Sequence, residues 1–237
     1  MLNATLRWNH IIEPSETVPG TSVDRAFLTY TDLSKTVRMD VKNKVLEILK
    51  NNNVYSKYGK PVYKGPEGKC VVYNGHLLWI DSNDNEIDVP KKVDGCFDCL
   101  RNNLTSLEGS PYEVGGYFDC SYNKLTSLEG APREVGGSFY CSGNKLTSLE
   151  GAPREVGGNF SCSYGKLTSL EGALREVGGY FDCSSNKLTS LVGGPIEVDG
   201  NFSCAENNLT SLVGAPIKVN GYFNCSTNNL TSLEGAP

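Results

Sequence analysis

Histidine is almost missing: His10 and His76 are the only two in 237 residues. Neither lies beside a nucleophile motif, and two imidazoles alone cannot complete a three-ligand catalytic metal site. No phosphate-binding or nucleophile motif appears elsewhere. The chain therefore reads as a non-enzyme, with no cofactor and no metal. Long apolar runs are also missing, so no segment reads as a membrane-spanning helix. The first residues, MLNATLRWNHIIEPSE, have no basic start followed by an apolar core. No signal peptide is expected, and a cytoplasm is the default compartment.

Cysteine, in contrast, is plentiful. Seven of the nine recur at one spacing: Cys99, Cys120, Cys141, Cys162, Cys183, Cys204 and Cys225 are each 21 residues apart. Such a row reads as buried, reduced thiols used as small hydrophobes. Cys96 and Cys99 form C-x-x-C, but a zinc site would need a second pair. Three apart on a strand, they also face opposite sides.

The period organises the C-terminal two thirds of the chain. Each unit reads V-G-G-x-F-x-C-S-x-N-K-L-T-S-L-E-G-A-P-x-E. Two 15-residue stretches, Asn123 to Gly137 and Asn144 to Gly158, are identical. Phe118 and Cys120 are two apart, so a short strand turns both inward. Leu125 and Leu128 suit the bend that follows. The asparagines Asn102, Asn123, Asn144, Asn186, Asn207 and Asn228 are expected to bond backbone groups of neighbouring coils. Gly165 interrupts that ladder and predicts a locally loose coil.

Before each strand stands Gly-Gly, Asp-Gly or Asn-Gly, as at Gly136-Gly137 and Asp199-Gly200. These residues tolerate positive φ, so a left-handed corner is expected there. An array of hairpins is the second reading. One coil cannot bury its own apolar side. Stacked coils can, at roughly 1.5–3 kcal/mol per large side chain. With strands about 4.8 Å apart, seven coils should make an array roughly 30–35 Å long.

The spacing F-x-C-x-x-N-x-L-x-x-L over residues 93–237 resembles the leucine-rich-repeat core, with Phe and Cys in two aliphatic positions. The L-T-S-L-E-G-A-P segment resembles short repeats encoded by tailed bacteriophages and some bacteria. The resemblance implies a β-rich leucine-rich-repeat-type solenoid with parallel strands. It also implies protein recognition through the strand face, by an accessory protein that captures or blocks a host factor.

Residues 1–73 read as a small α/β capping domain, with a helix from Ser34 to about Asn51. Val71 to Ile80 alternates around Asn74-Gly75, which can be a hairpin turn. Residues 74–93 also align with a degenerate coil, with Leu77 and Trp79 in the Phe and Cys places. The seven-coil array spans 94–237.

Outward strand positions vary while the core positions do not. They comprise a row from Cys96 to Tyr222, a row from Asp98 to Asn224, and a row from Leu100 to Ser226 that includes Ser121, Ser142, Ser163 and Ala205. Tyr is a good contact residue. The candidate binding set is Tyr117, Asp119, Tyr122, Tyr140, Tyr164, Tyr180, Asp182 and Tyr222. Residues 93–237 carry nine Lys and Arg against sixteen Asp and Glu, net −7. The expected partner is therefore a protein with a basic patch. The Lys124, Lys145, Lys166 and Lys187 stripe reads as a solvated face, and a nucleic-acid partner is not expected. The N-x-[ST] triplets at Asn103, Asn208 and Asn229 read as by-products of the repeat. Rival readings are an enzyme with catalysis in 1–73, and a structural component stacking end to end. The strand near Tyr222 to Ser226 is expected to present an open edge and to support self-association.

Overall fold

The computed structural model describes residues 61–83 and 85–237. The chain divides into two compact units, and one comprises Lys60–Asn83 with Ile87–Pro237. The other lies almost wholly outside the described residues, as does the helix expected over 34–51. All regular elements among the described residues are strands.

Three strands come first: β1 (Tyr63–Gly65), β2 (Gly68–Tyr73) and β3 (His76–Ile80). They form an antiparallel meander. Two-residue strands then alternate along the repeats. They are β4 (Lys92–Val93), β5 (Phe97–Asp98), β6 (Glu113–Val114), β7 (Phe118–Asp119), β8 (Glu134–Val135) and β9 (Phe139–Tyr140). The series continues with β10 (Glu155–Val156), β11 (Phe160–Ser161), β12 (Glu176–Val177), β13 (Phe181–Asp182), β14 (Glu197–Val198), β15 (Phe202–Ser203), β16 (Lys218–Val219) and β17 (Phe223–Asn224).

The odd-numbered strands from β5 to β17 form one parallel sheet of seven. Each Phe pairs in register with the Phe one coil away, as Phe118 with Phe139 and Phe160 with Phe181. The chain is thus a parallel β-solenoid with a 21-residue step. Pairing of Phe strand with Phe strand excludes the hairpin array. The Glu-Val segments, too short to serve as antiparallel partners, build a second set of parallel ladders. That set divides between β10 and β12. The division falls at the coil where a buried leucine, Leu174, replaces the proline of Pro132, Pro153 and Pro195.

The core is a set of columns. Phe97 through Phe202 are fully buried, and successive rings from Phe97 to Phe223 lie 5.2–5.7 Å apart. Such pairs add about 0.5–1.5 kcal/mol each beyond area burial. The asparagine column holds the coils together through the backbone. Asn123 Oδ1 accepts the amides of Asn102 and Leu104, both at 2.9 Å. Its Nδ2 donates to the Cys99 and Cys120 carbonyls, both at 2.9 Å. Asn144, Asn186, Asn207 and Asn228 likewise donate to the carbonyls of two successive cysteines. Gly165 has no amide to contribute, yet Leu146 and Leu167 stay buried around it and the Phe stack is unbroken.

Two expectations are corrected. Leu77 and Trp79 do not take the Phe and Cys places of a coil. Asn74 and Gly75, at φ 49° and 79°, reverse the chain into the β2–β3 hairpin. Two successive positive-φ residues match the twist of a two-residue hairpin, and this overrides the repeat alignment. Leu77 and Trp79 therefore belong to the meander, which meets the array through Thr105 N–H donating to Gly75 O at 3.1 Å and Trp79 Nε1 donating to Gly109 O at 2.8 Å, while Lys92–Val93 enters the parallel ladder. The meander packs on the first coil: the Trp79 and Tyr63 rings each lie 6.1 Å from Phe97, and Asp98 N–H donates to Val62 O at 3.1 Å.

The glycine pairs are also not left-handed corners. Positive φ falls instead at the L-E-G glycine, such as Gly130 at 85°, and at the residue after the serine row, such as Tyr122 and Tyr164 at 54°. The pairs are required by close approach. A Cβ on Gly137 would sit 2.8–2.9 Å from backbone atoms of Gly116 and Tyr117. The first place of the pair admits Asp94, Asp199 and Asn220, but the second is glycine in all seven coils. Gly137→Ala and Gly137→Asn should each cost about 1–3 kcal/mol by overpacking. Urea denaturation checks this; retained stability for the Asn variant alone would restore the left-handed corner as the reason.

Candidate functional site

Inward Phe and Cys leave their strand neighbours on the outer face of the seven-stranded sheet. Tyr117, Asp119, Tyr140, Tyr180, Asp182 and Tyr222 all lie there. Tyr222 is 82 % exposed and Tyr117 37 % exposed, while Tyr140 and Tyr180 are half-buried. The Tyr117 ring lies 6.5 Å from Tyr140 at 53°. Tyr117, Tyr140 and Tyr180, from three different coils, thus share one face. Burial, then the Tyr140 neighbour and Asp182, push the Tyr180 phenol up to about 12. Tyr117 is also raised, by burial first and then by Asp98, Cys96, Asp119 and Tyr140.

The carboxylates are oriented by their own strands. Asp98 Oδ1 accepts the Leu100 amide at 3.1 Å and Asp119 Oδ1 the Ser121 amide at 2.8 Å. Asp182 Oδ1 accepts the Ser184 amide at 3.0 Å and its hydroxyl at 2.6 Å. Tyr122 and Tyr164 stand on the left-handed turn just past the strands. The Arg101 guanidinium covers the Tyr122 ring at 4.9 Å, and Tyr164 is 63 % exposed.

The third row expected to face outward does so only at its ends, at Leu100 and Ser226. Ser121, Ser142, Ser163 and Ala205 are buried. The strands last only two residues, so the alternation ends before this row is reached. Ser142 instead bonds Ser161 at 2.8 Å and Ser163 at 3.1 Å.

A second feature escaped the sequence reading. A groove of about 790 Å³ runs along the Glu-Val ladders, lined by Glu113, Glu134, Glu155, Glu176 and Glu197 and by glycine backbone. Lys91 pairs with Glu113 at 3.8 Å and Lys218 with Glu197 at 3.3 Å, at its two ends. The repeated Arg-Glu pairs were its only signal, and they look the same on any solvated face.

All nine cysteines are unpaired. Cys120 and Cys162 donate to the Tyr140 and Asp182 carbonyls at 3.3 and 3.4 Å. Burial raises these thiols well above their ordinary range. Among the described residues, no three His, Cys, Asp or Glu side chains gather as metal ligands, and no helix is long and apolar enough to cross a membrane. Compared with family models, curated proteins and solved structures, the chain gives no match.

Thiol labelling should modify Cys96, which is exposed, well before Cys141 or Cys162, which are buried. Early labelling of Cys162 in the folded state would reverse the inside–outside assignment. Tyr117→Ala should leave the urea midpoint nearly unchanged, whereas Phe118→Ala should cost about 3–5 kcal/mol. Equal losses would shift the strand register by one residue.

The pH dependence follows from the raised groups. Cys204 moves from 9.0 to about 12 on folding. Its contribution to stability is complete below about pH 9 and lost as pH rises through about 12. Tyr180 acts in the same direction from 10.0 upward. Thermal melting should therefore stay flat from pH 7 to about 9 and fall above it. A melting temperature that rose with alkali would overturn this reading of the columns.

Proposed function

We propose that this protein is a non-enzymatic recognition module of the leucine-rich-repeat type, encoded by a phage or bacterium. It binds a host protein through the outer face of the Phe sheet, and binding serves to capture or block that protein. The meander at residues 61–80 acts as the N-terminal cap. The partner presents a basic surface, complementary to Asp98, Asp119 and Asp182. A reducing cytoplasm suits nine free thiols.

The observation that carries this reading is the contrast between core and face. Phe, Cys and Leu columns are uniform and the Asn column is broken only at Gly165, while the flanking positions differ from coil to coil and concentrate tyrosine. Tyrosine supplies large contact area at low entropic cost, and here it sits on a scaffold that cannot rearrange.

The test is affinity capture from bacterial lysate with the full chain and two variants. Tyr117→Ala/Tyr140→Ala/Tyr180→Ala should lose the captured protein. Glu134→Gln/Glu155→Gln, in the groove, should retain it. The reverse pattern would move recognition to the groove.

A further inference from the structure

The outer face repeats one local unit at a fixed distance. Gly115-Gly116-Tyr117-Phe118-Asp119-Cys120-Ser121 recurs without change as Gly178-Gly179-Tyr180-Phe181-Asp182-Cys183-Ser184. The aspartates lie in the same sheet row three coils apart, through Tyr140 and Ser161. At about 4.8 Å per strand the two carboxylates are about 14 Å apart along the array.

In both units one carboxylate oxygen is held by the backbone amide two residues on, which fixes the side chain and leaves the other oxygen for a ligand. A tyrosine stands two residues before each carboxylate, on the other side of the buried Phe118 or Phe181, so Tyr117 and Asp119, like Tyr180 and Asp182, share the outer face. Asp98 pairs in register with Asp119 and adds charge to the first unit. No Lys or Arg among the described residues pairs with Asp98, Asp119 or Asp182. The face between the units is neutral, with Ser138, Tyr140, Asn159 and Ser161 in the two intervening coils. A rigid carboxylate beside an aromatic ring favours a guanidinium, which can hydrogen-bond the one and stack on the other. The chain makes the same stacking contact itself, with Arg101 over Tyr122 at 4.9 Å.

The 14 Å spacing selects the form of the ligand. An extended segment rises about 3.4 Å per residue, and residues i and i+4 share a face about 13.6 Å apart. We propose that this face takes an extended segment of a partner protein, running along the array, with two arginines four residues apart, one at each Tyr–Asp unit. Small or aromatic residues at i+2 would lie over Tyr140 and Ser161. This deepens the proposed function and rests on it.

The experiment titrates the full chain with four labelled peptides, read by fluorescence anisotropy at low and moderate salt. Three carry two arginines at i,i+2, at i,i+4 or at i,i+6 in the same Ser/Thr/Gly background. The fourth is the i,i+4 peptide with citrulline replacing both arginines. The i,i+4 peptide should bind at least about tenfold more tightly than the other spacings, because only it engages both units at once. Citrulline should abolish the preference. Asp119→Asn or Asp182→Asn should level the three spacings, and Glu134→Gln/Glu155→Gln should leave them apart.

Equal affinity for all spacings, or no binding to any, overturns the two-arginine ligand. Citrulline peptide bound as tightly as arginine peptide, and lost with Tyr140→Ala/Tyr180→Ala, overturns it while leaving recognition by this face intact. Loss with the groove variant alone overturns both. The spacing series uses unmodified protein, so it decides the matter even where an Asp variant fails to fold.

Discussion

In this array, nearly every buried side chain makes its main contact with its own equivalent one coil away. Phe stacks on Phe, and the amides of Asn123, Asn144, Asn186, Asn207 and Asn228 each bridge the carbonyls of two successive cysteines. A single coil has two strands of two residues and no interior of its own. Stability is therefore a nearest-neighbour quantity, summed along the stack. The asparagine column matters most here, because each amide satisfies backbone groups buried by the bend after the strand. An orphaned group of that kind costs about 1–3 kcal/mol.

That rule of like against like has an electrostatic consequence. A residue that ionises does so beside its own copies. In the interior this is resolved by chemistry: the repeated group is a thiol, kept neutral by burial. On the Glu-Val ladders the repeated group is a carboxylate, and carboxylates stand in register across β6, β8 and β10. Directly opposed like charges work against a sheet. Lysines relieve this only at the two ends, through Lys91 and Lys218. The outer face of the Phe sheet largely escapes the rule, since its residues change from coil to coil and only Asp98 meets its own kind, at Asp119. It is the surface on which a partner can be distinguished.

Irregularity is concentrated in one place. Gly165 omits the asparagine and Leu174 omits the proline within the same coil, and the Glu-Val ladders divide there. The Phe sheet passes through without interruption. The two sides of the solenoid thus carry separate roles. One is a continuous rigid support for the tyrosine strip, and the other tolerates a break.

Much of this was legible in the sequence. The 21-residue period established stacking, and the two-residue spacing of Phe118 and Cys120 placed both inside. The outward placing of Tyr117, Asp119, Tyr180 and Asp182 follows from the same alternation. Periodicity identifies which positions face their copies, because that depends only on repetition. It does not say how closely the coils approach or where within a coil the chain turns. Tertiary structure decided that the Gly136-Gly137 type of pair exists to clear the neighbouring backbone, and that left-handed geometry falls at Tyr122 and Gly130. It also buried Ser121 and Ser142, and made a hairpin of Asn74-Gly75 where the alignment offered a coil. The hairpin is a local choice of two positive-φ residues, but within the repeats the physical reason is shared. These outcomes are set by contacts between coils about 4.8 Å apart, and that distance is a property of the backbone hydrogen bonds rather than of any residue in the repeat.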